Sequence, residues 1–287
     1  MKRPIVRLSS LQLTNIKNVK KGTIYMPNTV NKILSADKAE ILGIYGQNGS
    51  GKTAIVDALY FLQKVMIGAD LDQSLEDYMD MDSDTAEIFA DFNLFMNGIV
   101  FEIGYRLNLS REEKVVVISR ETLSGAKNEN GIRTNKTVFM DYQRDQTNTI
   151  FKPQKRLDEI LEENKDIKTD LIVARKMAEK SNCSYIFGES SRDIFCREYK
   201  NGFQQFSVII SSLFEFALKD LFVIRNTHLG AISANFVLPM AFRIENDNMG
   251  AKGDFTASLT EPILVDEERK NLLETIVEQI NIVLYTI

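Results

Sequence analysis

Eight residues carry the clearest chemistry in the chain: Gly46-Gln47-Asn48-Gly49-Ser50-Gly51-Lys52-Thr53. They fit the spacing G-x-x-x-x-G-K-S/T, in which each residue type has a physical task. Glycines let successive backbone N–H groups turn toward one centre and form a nest for anionic oxygens. A helix opening at Gly51 adds unpaired amides and the positive end of its dipole. Lys52 reaches the β- and γ-phosphates as a point charge, and Thr53 sets a hydroxyl on Mg²⁺. Gly46, Gln47, Asn48, Gly49, Ser50, Gly51, Lys52 and Thr53 are therefore the candidate ligands of a nucleoside triphosphate. ATP is the expected nucleotide and Mg²⁺, on Thr53, its expected ion.

Such a loop works only if the chain around it holds it still. EILGIY, residues 40–45, is a continuous apolar run and reads as a central parallel strand. From Gly51 to Met66 the pattern is that of a helix apolar on most sides, hence largely buried. Upstream, residues 5–14 alternate as a strand and TIYM reads as its return. Downstream, an acidic run from Asp70 to Asp91 reads as a solvated linker and helix face. The period then changes to two. Residues 86–95, 99–109, 114–123 and 136–143 read as antiparallel strands, with a turn at Asn97-Gly98. Residues 154–180 have a helical, highly charged pattern expected to form an exposed arm. An apolar helix at 204–224 returns to the core, and a helix from 267 to 284 closes the chain.

Composition excludes several classes. The 287 residues carry 35 Lys+Arg against 40 Asp+Glu, a net charge of -5, so a nucleic-acid coat is disfavoured. The basic residues Lys2, Arg3, Arg7, Lys17, Lys20 and Lys21 admit DNA locally but read equally as solvated surface. Two cysteines, Cys183 and Cys196, form no C-x-x-C pair and suit a reducing cytoplasm. The start lacks the apolar core of a signal peptide. The most apolar stretch, residues 206–224, contains Glu215, Lys219 and Asp220, so it reads as a buried helix and not a membrane span.

Other phosphate-loop classes fit less well. Neither Asn135-Lys136 nor Asn164-Lys165 is completed into N-K-x-D, the guanine-reading motif of GTPases. A small-molecule kinase usually opens on its phosphate-loop strand, whereas about forty residues precede it here. Two stretches together, LSSLQLTNIKNVKKGTIYM and EILGIYGQNGSGKTAIVDAL, resemble the amino-terminal lobe of ABC-type ATPase heads. The nearest likeness is to the SMC, RecF and overcoming-lysogenization-defect group, described broadly as AAA family ATPases. The likeness rests on a strand ending in N-I-K-N, the G-x-N-G-S-G-K-T loop, and an early helical aspartate, Asp57. It implies an α/β P-loop NTPase with parallel core strands, an added antiparallel β subdomain and an inserted helical arm. Residues 1–152 would be the nucleotide-binding lobe, 153–226 the arm, and 227–287 a return to the core. It implies too that Lys17 or Asn18 lies near the base or α-phosphate, and that Gln143 contacts the magnesium ion. Heads of this kind close as dimers, so a homodimer or a partner subunit is implied, with DNA maintenance or antiphage defence as the setting.

The parts such heads use for hydrolysis are harder to find. Ile263-Leu264-Val265-Asp266-Glu267 mimics a Walker B strand and makes Glu267 the candidate catalytic residue. The apolar run is short, and Asp266 as a helix cap with acids in the first turn explains the same letters better. Leu123-Ser124-Gly125 resembles a signature loop but sits in a β pattern. His228, the only histidine, precedes the Walker B candidate and reads as a packing residue. The chain ends on the apolar INIVLYTI. The expectation is a truncated, incomplete head that binds nucleotide weakly and hydrolyses it slowly or not at all. The alternative is a nucleotide-dependent interaction module without hydrolysis.

Overall fold

Strict alternation along the long strands decides which way each side chain faces. The computed structural model describes residues 3–71, 73–112, 115–144, 166–196 and 204–223. Strand β1 (Ile5–Ile16) turns through Lys17-Asn18 into β2 (Val19–Tyr25). After the short helix α1 (Pro27–Val30) and the glycine-rich loop comes helix α2 (Lys52–Met66). A 3₁₀ turn, Gln73–Tyr78, leads to β3 (Thr85–Met96), β4 (Ile99–Glu112), β5 (Val115–Glu129), β6 (Ile132–Arg133) and β7 (Thr137–Gln143). Helices α3 (Ile167–Ser181), α4 (Glu189–Cys196) and α5 (Gln204–Glu215) follow, and a π turn, Phe216–Asp220, continues α5.

The strands form one sheet in the order β2-β1-β3-β4-β5-β6, with β7 also paired to β5. All the described pairings are antiparallel. The two hairpin turns Asn97-Gly98 and Asn130-Gly131 have φ of 50° and 79°, and 52° and 80°, the left-handed pair that a two-residue hairpin requires. In β3, Ala86, Ile88, Ala90, Phe92 and Leu94 are buried on one face. Phe61, Leu62, Val65 and Met66 of α2 join them in a single core with Tyr185, Phe187 and Phe195. Phe61 stacks on Tyr78 at 4.9 Å, and Tyr105 meets Phe187 edge-on at 5.3 Å.

The opposite face of the sheet is polar and its charges are matched across strands. Arg106 pairs with Glu87 at 2.6 Å and Lys136 with Asp91 at 2.6 Å. Arg133 pairs with Glu102 at 2.7 Å, and Arg120 grips the buried Asp141 at 2.8 and 2.9 Å. Phe89 lies between two cations, 4.5 Å from the Arg106 guanidinium and 5.3 Å from the Lys136 amine.

Three sequence expectations are corrected here. EILGIY forms no strand: residues 40–47 have no regular structure, and Ile41 and Tyr45 are 87% and 79% exposed. A parallel strand needs neighbours on both sides, and the described strands pair only with one another. Second, the acidic run is solvated only in part: Asp70, Glu76, Asp77, Asp82 and Asp84 are exposed as expected, but Asp80, Glu87 and Asp91 are not. It becomes the 3₁₀ turn and β3, where Asp80 is buried beside Lys20 at 2.7 Å and Glu87 and Asp91 hold the ion pairs above. The partners come from β2, from β4 and from the loop before β7, far away in sequence. Third, the described part of the charged segment, α3, is not an exposed arm, while residues 154–165 lie outside the described residues. Ile167, Leu171, Ala174 and Ala178 are buried in the common core, and Arg175 donates to the Gln143 carbonyl at 2.6 Å. Its charges lie on the outer face of an amphipathic helix. The apolar helix near 206–224 is found as expected, with Ile210, Leu213 and Ala217 buried. Among the described residues no helix is long and apolar enough to cross a membrane.

One buried carboxylate fastens the helices to the sheet. Glu121 of β5 is fully buried and accepts from the Tyr105 hydroxyl at 2.5 Å, the Ser184 hydroxyl at 2.6 Å and the Tyr185 N–H at 2.6 Å. Beside it, the Asn182 side chain donates to the Val116 carbonyl at 2.9 Å and accepts from the Ile118 N–H at 3.2 Å, completing the ladder of β5. Burial outweighs these hydrogen bonds and raises the Glu121 carboxyl above its usual range. The folded chain therefore holds this proton more tightly than the unfolded one. The associated stability is complete below the unfolded value, about pH 4.3, and is lost as the pH rises through the folded value. Glu121→Gln should remove that slope, so its melting temperature should gain on wild type between pH 5 and pH 8. Glu121→Ala should instead lose about 3 kcal/mol or more at any pH, since it leaves three donors unpartnered. Thermal melts across that pH range check both.

Candidate phosphate-binding site

The glycine-rich loop begins at Gly46 and enters α2 at Lys52. Gly49 and Gly51 have φ of 82° and 89°, the left-handed region that side chains disfavour. Between them the Ser50 N–H closes a turn onto the Gln47 carbonyl at 3.2 Å. Residues 46–50 are exposed, whereas Gly51 is buried. A Cβ on Gly51 would stand 2.6 Å from Val19 Cγ2, and one on Gly46 would stand 2.7 Å from Ser50 Oγ. So the loop is tight at both ends and open between.

No side chain caps α2. Its first-turn amides, those of Lys52, Thr53 and Ala54, therefore project toward the loop with the positive end of the helix dipole. The Lys52 amine folds back over the loop. It donates to the carbonyls of Gly46 and Gln47, each at 2.6 Å, and to the Ser50 hydroxyl at 3.3 Å. Thr53 is exposed in the first turn of the helix. Amides, one ammonium and one hydroxyl thus converge on a small exposed loop. This donor set suits a polyphosphate with its magnesium ion: the amides and Lys52 match anionic oxygens, and the Thr53 hydroxyl matches a hard cation.

The turn between β1 and β2 reaches the same place. Lys17 donates its amine to Asp57 of α2, and Asn18 donates its side-chain amide to the Gly49 carbonyl. The resemblance puts Lys17 or Asn18 near the base or α-phosphate; the structure sets Asn18 against the loop and Lys17 against the helix that follows it. It does not bring Gln143 there. Thr14, Glu87, Asn108, Arg120 and Gln143 are successive partners across the sheet. Gln143 therefore lies four strand spacings, about 19 Å measured along the sheet, from β1, the strand that leads into Lys17. It borders a shallow polar groove with Asn108, Arg120 and Arg144.

Leu123-Ser124-Gly125 lies inside β5, not in a loop: Leu123 is buried and the Ser124 hydroxyl donates to the Gly104 carbonyl at 3.3 Å. Glu267, Asp266 and His228 lie outside the described residues. Two supporting residues carried no sequence signal of their own. Val19 closes against Gly51, and Asp80 braces the turn from behind through its N–H to the Asn15 carbonyl at 2.9 Å. Lys20, hydrogen-bonded to Asp80, holds that carboxyl below its usual range. Cys183 is no candidate nucleophile, because burial pushes its thiol up to about 11.

The two left-handed glycines should respond differently to substitution. Gly49→Ala meets no neighbour within 4 Å and should cost only the backbone strain, about 1–2 kcal/mol. Gly51→Ala adds the collision with Val19, so it should cost more and displace the β1–β2 turn. Denaturant unfolding, with the Val19 methyl resonances as reporter, separates the two.

Comparison with known proteins agrees with the geometry of the loop. Residues 41–166 match a family model described as AAA domain, putative AbiEii toxin, Type IV TA system. No curated protein matches the chain. Over that segment, a little under half of the 287 residues, the chain is similar to AAA-domain ATPases of the P-loop superfamily, which supports an ATP-binding, ATPase-like role for the loop.

Proposed function

We propose that the chain is the Mg²⁺-ATP-binding part of an ABC-like ATPase head that serves DNA maintenance or antiphage defence. One observation carries the reading. The loop from Gly46 to Thr53 combines two left-handed glycines, an uncapped helix start and a converging lysine. The amides of residues 52–54 and the Lys52 ammonium would hold the phosphate chain. The Thr53 hydroxyl would hold the magnesium ion, which neutralises charge on the phosphoryl oxygens. Lys52 donates to two carbonyls of its own loop, and an anionic phosphate oxygen is a stronger acceptor for the same amine. The defence setting draws on the toxin named in the description of the matching family. Closure onto a second head, of this chain or of a partner subunit, is part of the proposal.

A second reading, nucleotide binding without hydrolysis, follows from the short apolar run of residues 263–265, which makes Asp266-Glu267 a weak match to a Walker B strand. Titration calorimetry tests the binding common to both readings. Mg²⁺-ATP should bind to the wild type, and Lys52→Ala should weaken it about 10- to 100-fold. Equal heats for the two proteins would end both readings. Phosphate release, with and without DNA, then divides them. Turnover that Glu267→Gln abolishes identifies a hydrolysing head, whereas bound nucleotide that stays intact identifies a binding module.

A further inference from the structure

We propose that the groove between α1 and the polar face of the sheet is a second anion site, built for a small phosphate monoester of nucleoside-monophosphate size. It is separate from the glycine-rich loop and does not depend on that loop's assignment. Ser10 pairs with Tyr25 at one end of the β1–β2 hairpin, and Ile16 pairs with Val19 at the end beside the loop. The run of β1 between them sets the groove about 20 Å from that end.

The groove encloses about 460 Å³, within the range of small-ligand sites. Its floor is the outer face of β1, β3 and β4, with Ser10, Asp91 and Glu102. Thr29 and Lys32, in and after α1, border it together with Tyr25. Arg133 and Lys136 reach in to Glu102 and Asp91. Charge gives the sign of the ligand. Asp91 accepts from Lys136 at 2.6 Å and from the Ser10 hydroxyl at 2.9 Å, and Glu102 accepts from Arg133 at 2.8 Å. Both carboxylates are therefore matched. Lys32 is exposed and has no ion-pair partner among the described residues. The groove is left with one unmatched cation and selects an anion.

Hydrogen bonding gives the form of that anion. Ser9 is the residue that the slip between Leu8 and Ser10 leaves without a partner on β3, and it borders the groove. Such bulges re-aim a side chain at the face of a sheet. Ser9 is 6% exposed, and its hydroxyl is buried with no hydrogen-bond partner among the described residues. An oxygen seated on the groove floor would supply the acceptor that this hydroxyl lacks. The donors come from different elements: Ser9 from a strand, Thr29 from α1 and Lys32 from the turn after it. The three oxygens of a phosphate can meet donors from several directions, whereas the two of a carboxylate share one plane. The Tyr25 ring, 55% exposed beside them, offers a flat face for the body of the ligand.

The full chain should be titrated in magnesium-free buffer with AMP, ribose 5-phosphate and inorganic phosphate, as wild type, Lys32→Met, Ser9→Ala, Tyr25→Ala and Lys52→Ala. Heat and the backbone amide resonances of residues 25–34 are the readouts. Wild type should bind both monoesters more tightly than it binds phosphate. Lys32→Met should weaken AMP about 10-fold or more, and Lys52→Ala should bind it as wild type does. Tyr25→Ala should weaken AMP about 3- to 10-fold and leave ribose 5-phosphate within about twofold. Ser9→Ala should weaken both monoesters about 3- to 10-fold, yet melt no lower than wild type, because it removes an unpaired hydroxyl. A serine with a merely structural role would not lower affinity while sparing stability. No binding of either monoester below about 10 mM would overturn the proposal. So would loss of AMP binding in Lys52→Ala but not in Lys32→Met, since the anion would then sit on the glycine-rich loop. Phosphate bound as tightly as AMP would overturn it too, because the groove would then recognise no organic body.

Discussion

Asp57 is a carboxylate in the core-facing side of a helix that otherwise buries Ala54, Ala58, Phe61, Leu62, Val65 and Met66. Such a group must find a cation or give up its charge. Lys17, forty residues earlier, supplies one. The energetic weight of α2 lies elsewhere: each large apolar side chain it buries contributes about 1.5–3 kcal/mol, so the four largest outweigh any single ion pair. What the pair adds is direction. Apolar packing tolerates small rotations of a helix, whereas an amine and a buried oxygen must meet at one angle. Because the loop is continuous with the start of α2, that angle also orients the amides on which phosphate binding depends.

The sheet performs the complementary task of keeping the hairpin in place. β1 lies between β2 and β3, and the segment from Tyr78 to Asp80 closes over the hairpin's end through backbone hydrogen bonds. Further along, Glu121 and Asn182 tie the helical layer to β5, so that α2 is enclosed between the sheet and the later helices. The bulges matter here. At Ser9 the pairing of β1 with β3 slips by one residue between Leu8 and Ser10, which keeps Leu11 and Leu13 inward while Ser10 meets Asp91 at 2.9 Å on the other face. Without that slip, one half of β1 would present its polar residues to the core.

Much of this was legible in the residues, and the gaps have physical causes. Period located β3, β4, β7 and the first part of β5, and Asn97-Gly98 named its own turn; the last six residues of β5 and the two-residue β6 were missed, being too polar to show an apolar alternation. The phosphate loop was legible because glycine, lysine and threonine at that spacing serve few other purposes. The strand reading of EILGIY failed because an apolar run shows the wish to be buried but not the neighbours available to bury it. α3 was misjudged because Glu and Lys at four-residue spacing drew attention from the sparser stripe of Ile167, Leu171, Ala174 and Ala178. The paired members of the acidic run were misjudged for a related reason: a carboxylate's partner can come from anywhere in the fold, and Lys20 and Arg106 cannot be assigned to Asp80 and Glu87 by counting along the chain. The same holds for the site. Lys17 and Asn18 were placed near the loop by resemblance, but the contacts that define them, to Asp57 and Gly49, are products of the fold.

β2 pairs with β1 alone among the described strands, and a strand with one neighbour offers its remaining backbone groups to any extended peptide. Its sequence, VKKGTIY, puts two ammonium groups and a glycine in the middle of that margin. A second copy pairing antiparallel there, centred between residues 20 and 21, would set Lys21 opposite Lys20 of its counterpart, although Lys20 is itself held by Asp80. The margin beside the nucleotide loop is thus guarded against runaway strand addition, and the hairpin that steadies the loop is spared the fate common to exposed β ribbons, conversion into a seed for fibres.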